Sequence, residues 1–167
     1  SRPNARAERP LIALACALPG AEQRFTLVHE LFHLMADQDL ERSLRLVRDP
    51  RELRANRFAG ALLLPREAAE QHLNESLTLH GYLKVKATYG LSVGATIHRA
   101  RDLRLISDRR SKSLYIQWSS AGWRDQLKEP VAVANERPLL MDQALRKVYG
   151  RSHLARASHL TGVPAQL

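Results

Sequence analysis

The chain has 167 residues, enough for one core of useful size without covalent staples. Its single cysteine, Cys16, excludes an internal disulfide and a cysteine-only metal cluster, and no apolar run approaches the roughly 20 residues that a bilayer-spanning helix needs; a soluble protein of the reducing cytoplasm, with no membrane partner, is expected. The 26 Lys and Arg against 17 Asp and Glu give a formal charge of +9, which favours an acidic partner or a phosphate backbone, although the arginines are scattered and no aromatic-basic interleaving marks a nucleic-acid strip.

The segment Ser1 to Pro10 is polar and basic with two prolines, and reads as part of an excised or processed piece of a longer chain. Leu11 to Leu18 is an apolar run framed by Pro10 and by Pro19-Gly20, which predicts a buried strand with Cys16 as a packed thiol. From about Ala21, Phe25, Val28, Leu31, Phe32 and Met35 recur at helical spacing, predicting one amphipathic helix of about four turns. Asp37 and Asp39 read as helix-end charges.

Asp49-Pro50 is a plausible cap and first-turn proline for a second helix over Arg51 to Leu64, whose apolar face would carry Leu53, Phe58, Leu62 and Leu63. A third covers Arg66 to about Leu73. Leu77 to Tyr89 and Val93 to Leu105 read as two helices broken at Gly90-Leu91-Ser92, as in helix-turn-helix units. Further helices are expected over Ser111 to Ser120, Leu139 to Tyr149 and His153 to Leu160, with an exposed connection over Lys128 to Pro138 and a second helix-turn-helix-like break near Gly162. The fold class that follows is α+β and mainly helical, with a small antiparallel sheet beside the first long helix and a helix-turn-helix-like C-terminal part. The organisation expected is a core over 1–73, its helical continuation over 74–150 and a helical tail over 151–167.

Chemistry concentrates in HELFH, His29 to His33. Residues four apart share a helix face, so the two imidazoles can address one cation, and neutral imidazole suits zinc or a similar divalent metal. Glu30 is placed to take a proton from a water at that metal, as in hydrolytic zincins. A catalytic site needs a third protein ligand. Glu52, opening the second helix, is the best candidate, and Asn56 one turn later could hydrogen-bond a ligating group; Asp49, Glu67 and Glu70 are weaker alternatives.

RFTLVHELFHLM (Arg24 to Met35) followed by ELRANRFAGALLLP (Glu52 to Pro65) resembles the ImmA/IrrE family of metallopeptidases, and YGLSVGATIHRARDLRLIS (Tyr89 to Ser107) with AGWRDQLKEP (Ala121 to Pro130) is similar to the family's C-terminal half. The resemblance implies His29 and His33 as ligands, Glu30 as the catalytic acid/base and Glu52 as third ligand. It further implies a zinc-dependent peptidase, with Mn2+ or Fe2+ as alternative metals, acting on a protein substrate, typically a helix-turn-helix repressor of mobile-element, toxin-antitoxin or stress genes. Phe32 departs from the glycine common at that place in the family, and the helix that usually precedes the family's first strand is missing from the pattern.

The expected mechanism has a metal on His29, His33 and Glu52 polarising a peptide carbonyl while Glu30 activates water. Tyr82, Tyr89, His72 and His98 are the possible oxyanion donors. The competing readings are a metal-binding pseudo-peptidase and a DNA-binding regulator, the latter using Arg99, Arg101 and Arg104 on the helix that starts at Val93.

Overall fold

The computed structural model describes residues 12–15, 17–36, 49–125, 127–136, 139–150 and 153–161. These form eight α-helices: α1 (Gly20–Ala36), α2 (Pro50–Leu63), α3 (Arg66–His72), α4 (Gly81–Tyr89), α5 (Val93–Asp102), α6 (Asp108–Ser120), α7 (Leu139–Tyr149) and α8 (His153–Thr161). The chain divides into two compact units, Ser1–Asn135 with α1 to α6 and Glu136–Leu167 with α7 packed on α8.

The expected sheet is overturned: among the described residues there is no strand, and the architecture is all-helical rather than α+β. Ile12 and Leu14 are half-buried while Ala13 and Ala15 are exposed, the alternation of an extended segment, but no described neighbour offers a ladder of backbone groups to complete it. Leu11 and Cys16 lie outside the described residues, as do Asp37, Asp39 and Gly162.

Local signals explain most helix ends. Asp49 caps α2 by accepting from Arg51 N–H at 2.9 Å, with Pro50 in the first turn, and Ser92 and Ser107 cap α5 and α6 in the same way. The α6 cap starts that helix three residues before the apolar pattern does. Gly90, at φ 69°, closes α4 with its N–H on Lys86 O, the left-handed step that glycine takes at no steric cost. At the end of α5 the same step is taken by Arg104 at φ 59°, while Leu105 N–H reaches back to Ala100 O, so the helix stops short of Leu105. Leu77 and Thr78 are not helical and Leu79 and His80 form a turn ahead of Gly81, which shortens α4 relative to the pattern.

α1 and α2 lie side by side, and Val28 of α1 and Ala55 and Ala59 of α2 are buried. Of the residues expected on the apolar face of α2, Phe58 and Leu63 are half-buried, with Phe58 packed on Phe32 of α1, whereas Leu53 and Leu62 are exposed. The main core lies behind them, where Leu64, Leu73, Tyr82, Leu91, Val93, Ile97 and Leu114 from α3 to α6 and their turns are sealed from solvent.

In the connection expected to be exposed, Glu129 is buried. Its carboxylate accepts from Lys86 Nζ at 2.7 Å, Val93 N–H at 3.0 Å and Trp118 Nε1 at 3.1 Å, which satisfies a charge that would otherwise be expelled from the interior. Beyond this anchor the chain passes over the start of α1. A Cβ on Gly20 would collide with the backbone carbonyls of Val133 and Ala134, and Asn135 Nδ2 donates to Leu18 O at 3.1 Å.

Candidate metal centre

The α1–α2 pairing carries the residues singled out in the sequence to one point. His29 and His33, one turn apart on α1, face Glu52 in the first turn of α2. His29 Nε2 lies 3.0 Å from Glu52 Oε2 and 3.1 Å from His33 Nε2, and His33 Nε2 lies 3.4 Å from Glu52 Oε1. One ligand atom from each of the three residues falls in a cluster no more than 4.8 Å across.

The donor set fits a divalent cation. Ligands held at about 2.0–2.2 Å by a tetrahedral zinc lie roughly 3.3–3.6 Å from one another, within a few tenths of an ångström of the separations found. Asn56 Oδ1 lies 2.9 Å from His29 Nδ1. An amide oxygen only accepts, so His29 carries its proton on Nδ1 and aims the Nε2 lone pair at the cluster. Electron-rich atoms that converge this closely repel one another unless a cation or proton lies between them.

Asp49, weighed as an alternative ligand, is committed elsewhere: it caps α2 and takes Arg51 Nε and Nη2, the latter at 2.7 Å. The hydrogen bonds from Arg51 hold its carboxyl below the usual range. This clamp fixes the first turn of α2, which presents Glu52, and sequence reasoning missed it because Arg51 reads as one more surface cation. Glu70 pairs with Arg66 across one turn of α3, and neither it nor Glu67 joins the cluster.

Glu30 is half-buried on α1 beside His29 and outside the ligand cluster. Phe32 packs on Phe58 of α2, ring centroids 5.3 Å apart, and edge-on to His33. The bulky residue in HELFH therefore fills the seam between the two site helices.

Each of the four oxyanion candidates is enclosed or makes contacts of its own. Tyr82 is fully buried, and burial pushes its hydroxyl up to about 12. His72 stacks against Tyr89. His98 meets Asp102 through Nδ1 and Arg101 through Nε2, and burial lowers its pKa despite the carboxylate. Of the arginines considered for DNA, Arg99 donates from Nε to Leu64 O at 3.1 Å and Arg101 is held by His98 and Asp102. α5 buries Val93, Thr96, Ile97 and Ala100 in the core, while the His98 and Arg101 side chains stay partly exposed and Arg104, beyond the end of the helix, is exposed.

The family model Peptidase_M78, described as the IrrE N-terminal-like domain, matches residues 1–101, more than half of the chain. The chain belongs to this family. As an IrrE N-terminal-like protein it is a metallopeptidase by family, and its His-His-Glu cluster supplies ligands of the kind such an enzyme requires. No curated protein and no solved structure matches it in the corresponding comparisons. Among the described residues no helix is long and apolar enough to cross a membrane.

Proposed function

We propose that this IrrE N-terminal-like metallopeptidase is a zinc-dependent cytoplasmic endopeptidase, with Mn2+ or Fe2+ as the alternative metals, that cleaves a helix-turn-helix transcriptional repressor and thereby relieves repression of mobile-element or stress genes. The observation that carries the reading is the convergence of His29 Nε2, His33 Nε2 and the Glu52 carboxylate, with Asn56 fixing the tautomer of His29.

In this reading His29, His33 and Glu52 hold the metal. Bound there, it supplies the Lewis acidity that polarises a scissile carbonyl and makes water acidic enough to lose a proton near neutral pH. Glu30 accepts that proton and returns it to the leaving amine nitrogen, so it must be ionised before attack and protonated after it. Asn56 keeps the His29 ring from flipping, and the Arg51–Asp49 clamp keeps the Glu52 turn in place.

The test pairs metal analysis of the purified chain with cleavage of repressor substrates. Native protein should bind one divalent ion per chain, and Glu30→Gln should retain the ion while losing cleavage by at least about a hundredfold. Cleavage undiminished in Glu30→Gln would refute the base assignment, and failure to bind any divalent metal on reconstitution would refute the metal site.

A further inference from the structure

We infer that the exposed face of α6 is a docking surface for double-stranded DNA, separate from the peptidase site. Arg109, Lys112, Ser113, Ile116 and Gln117 recur at three- and four-residue spacing along α6 and line a shallow depression of about 460 Å³. All the lining residues come from this one helix, so the depression is open on its remaining sides and suits a macromolecular surface rather than an enclosed small molecule. Ile116 is 67% exposed.

The charge on this face is unbalanced. Arg109 and Lys112 are exposed, and so is Arg104 in the turn that leads into the helix. Among the described residues none of the three has an ion-pair partner, whereas Arg51, Arg66 and Arg101 of the same unit are paired with carboxylates and Arg99 and Arg110 donate to backbone carbonyls. Asp108, at the edge of the stripe beside Lys112, is the acid nearest in sequence and offsets part of the charge. The net +9 of the chain adds long-range attraction to a polyanion.

The helix is also held as a rigid reader requires. Its start is capped by Ser107, which Glu75 grips through two hydrogen bonds of 2.7 Å. Its rear face is fixed by buried Ser111 and Leu114, by Tyr115 donating to Gly94 O and by Trp118 donating to Glu129. What remains outward is two cations for phosphates, the exposed Gln117 amide, which donates to the half-buried Ser113 hydroxyl at 3.2 Å and keeps its carbonyl oxygen for a base edge, and an aliphatic side chain for a thymine methyl, on a helix of the diameter that the major groove admits.

The probe is a fluorescein-labelled DNA duplex of about 30 base pairs, titrated with the full chain by anisotropy at 50 to 200 mM salt. Three phosphate contacts predict a slope near −2.7 for log affinity against log salt, hence a loss of roughly 40-fold across that range. The double variant Arg109→Glu/Lys112→Glu should lower affinity at least about tenfold and bring the slope to about −0.9. Lys84→Glu/Arg124→Glu, with the same change in net charge off the stripe, should stay within about twofold of native.

Absence of duplex binding at 50 mM salt, or equal losses in the two double variants, would overturn the proposal. Competition by polyglutamate as effective as that by unlabelled duplex would assign the face to an acidic protein and overturn it as well. Because metal removal leaves α6 untouched, binding should persist in chelator, which separates this surface from the peptidase reading.

Discussion

Replacing Glu129 by alanine should be the most damaging single change away from the metal centre. The substitution strands the Lys86 ammonium, whose side chain is 3% exposed, and leaves Val93 N–H and the Trp118 indole N–H without their acceptor. Breaking one side of a buried pair costs about 3–5 kcal/mol, and each orphaned donor adds about 1–3 kcal/mol before relaxation. A net loss of about 4 kcal/mol or more is expected from a total of roughly 5–15 kcal/mol. Urea unfolding followed by tryptophan fluorescence reads this directly, since Trp118 contacts the replaced carboxylate and Trp123 lies in the same core. Lys86→Met should cost about 3 kcal/mol, and the double variant Lys86→Met/Glu129→Gln should lose less than the sum of its single changes by about 1–3 kcal/mol. A loss below about 1 kcal/mol for Glu129→Ala, or strict additivity in the cycle, would refute the reasoning.

Three further outcomes follow from the geometry. Asn56→Ala frees the His29 ring and should weaken metal affinity about 10- to 100-fold by competition with a chelating dye while leaving the fold intact. The folded-state pKa of Tyr82 lies above its unfolded value, so the unfolded chain loses the proton first and stability should fall as pH rises from 10 through about 12; Tyr82→Phe should abolish that contribution and, by removing a buried hydroxyl that has no partner, should not lower stability at neutral pH, as melting curves at pH 7 and pH 11 will show. Gly20→Ala should destabilise by about 1–3 kcal/mol in urea, because the added methyl meets backbone carbonyls rather than movable side chains.

The site was more legible in the sequence than the fold. Helix geometry alone puts His29 beside His33, and Asp49-Pro50 announces the start of α2, so the only long-range step was to guess that Glu52 faces them. The strand was misread because an apolar run between prolines looks the same whether or not a partner strand exists, and pairing is a property of the neighbours. The face of α2 is only half legible for a related reason. Apolar periodicity finds Phe58 and Leu63, which are half-buried, but it ranks leucine above alanine, whereas Ala55 and Ala59 are sealed from solvent and Leu53 and Leu62 are exposed. Glu129 sits in a polar stretch, Lys128-Glu129-Pro130, with nothing local to mark it. The one hint was Lys86, which falls on the buried side of α4 with Tyr82 and Val85, where a lysine requires a counter-charge.

The contact between Asn135 and Leu18 joins residues 117 apart in the chain. At the usual pace of synthesis, about 5–20 residues per second, roughly 6–23 s separate the appearance of Leu18 from that of Asn135. α1 and α2 can pair and bring His29, His33 and Glu52 together well before that, but the N-terminal end of the histidine-bearing helix is not pinned until Val133 and Ala134 close over Gly20. Capture of a metal ion during synthesis would therefore meet a ligand set already formed on a helix still free to fray at its start, and the ion would hold the helix in place ahead of its own protein anchor.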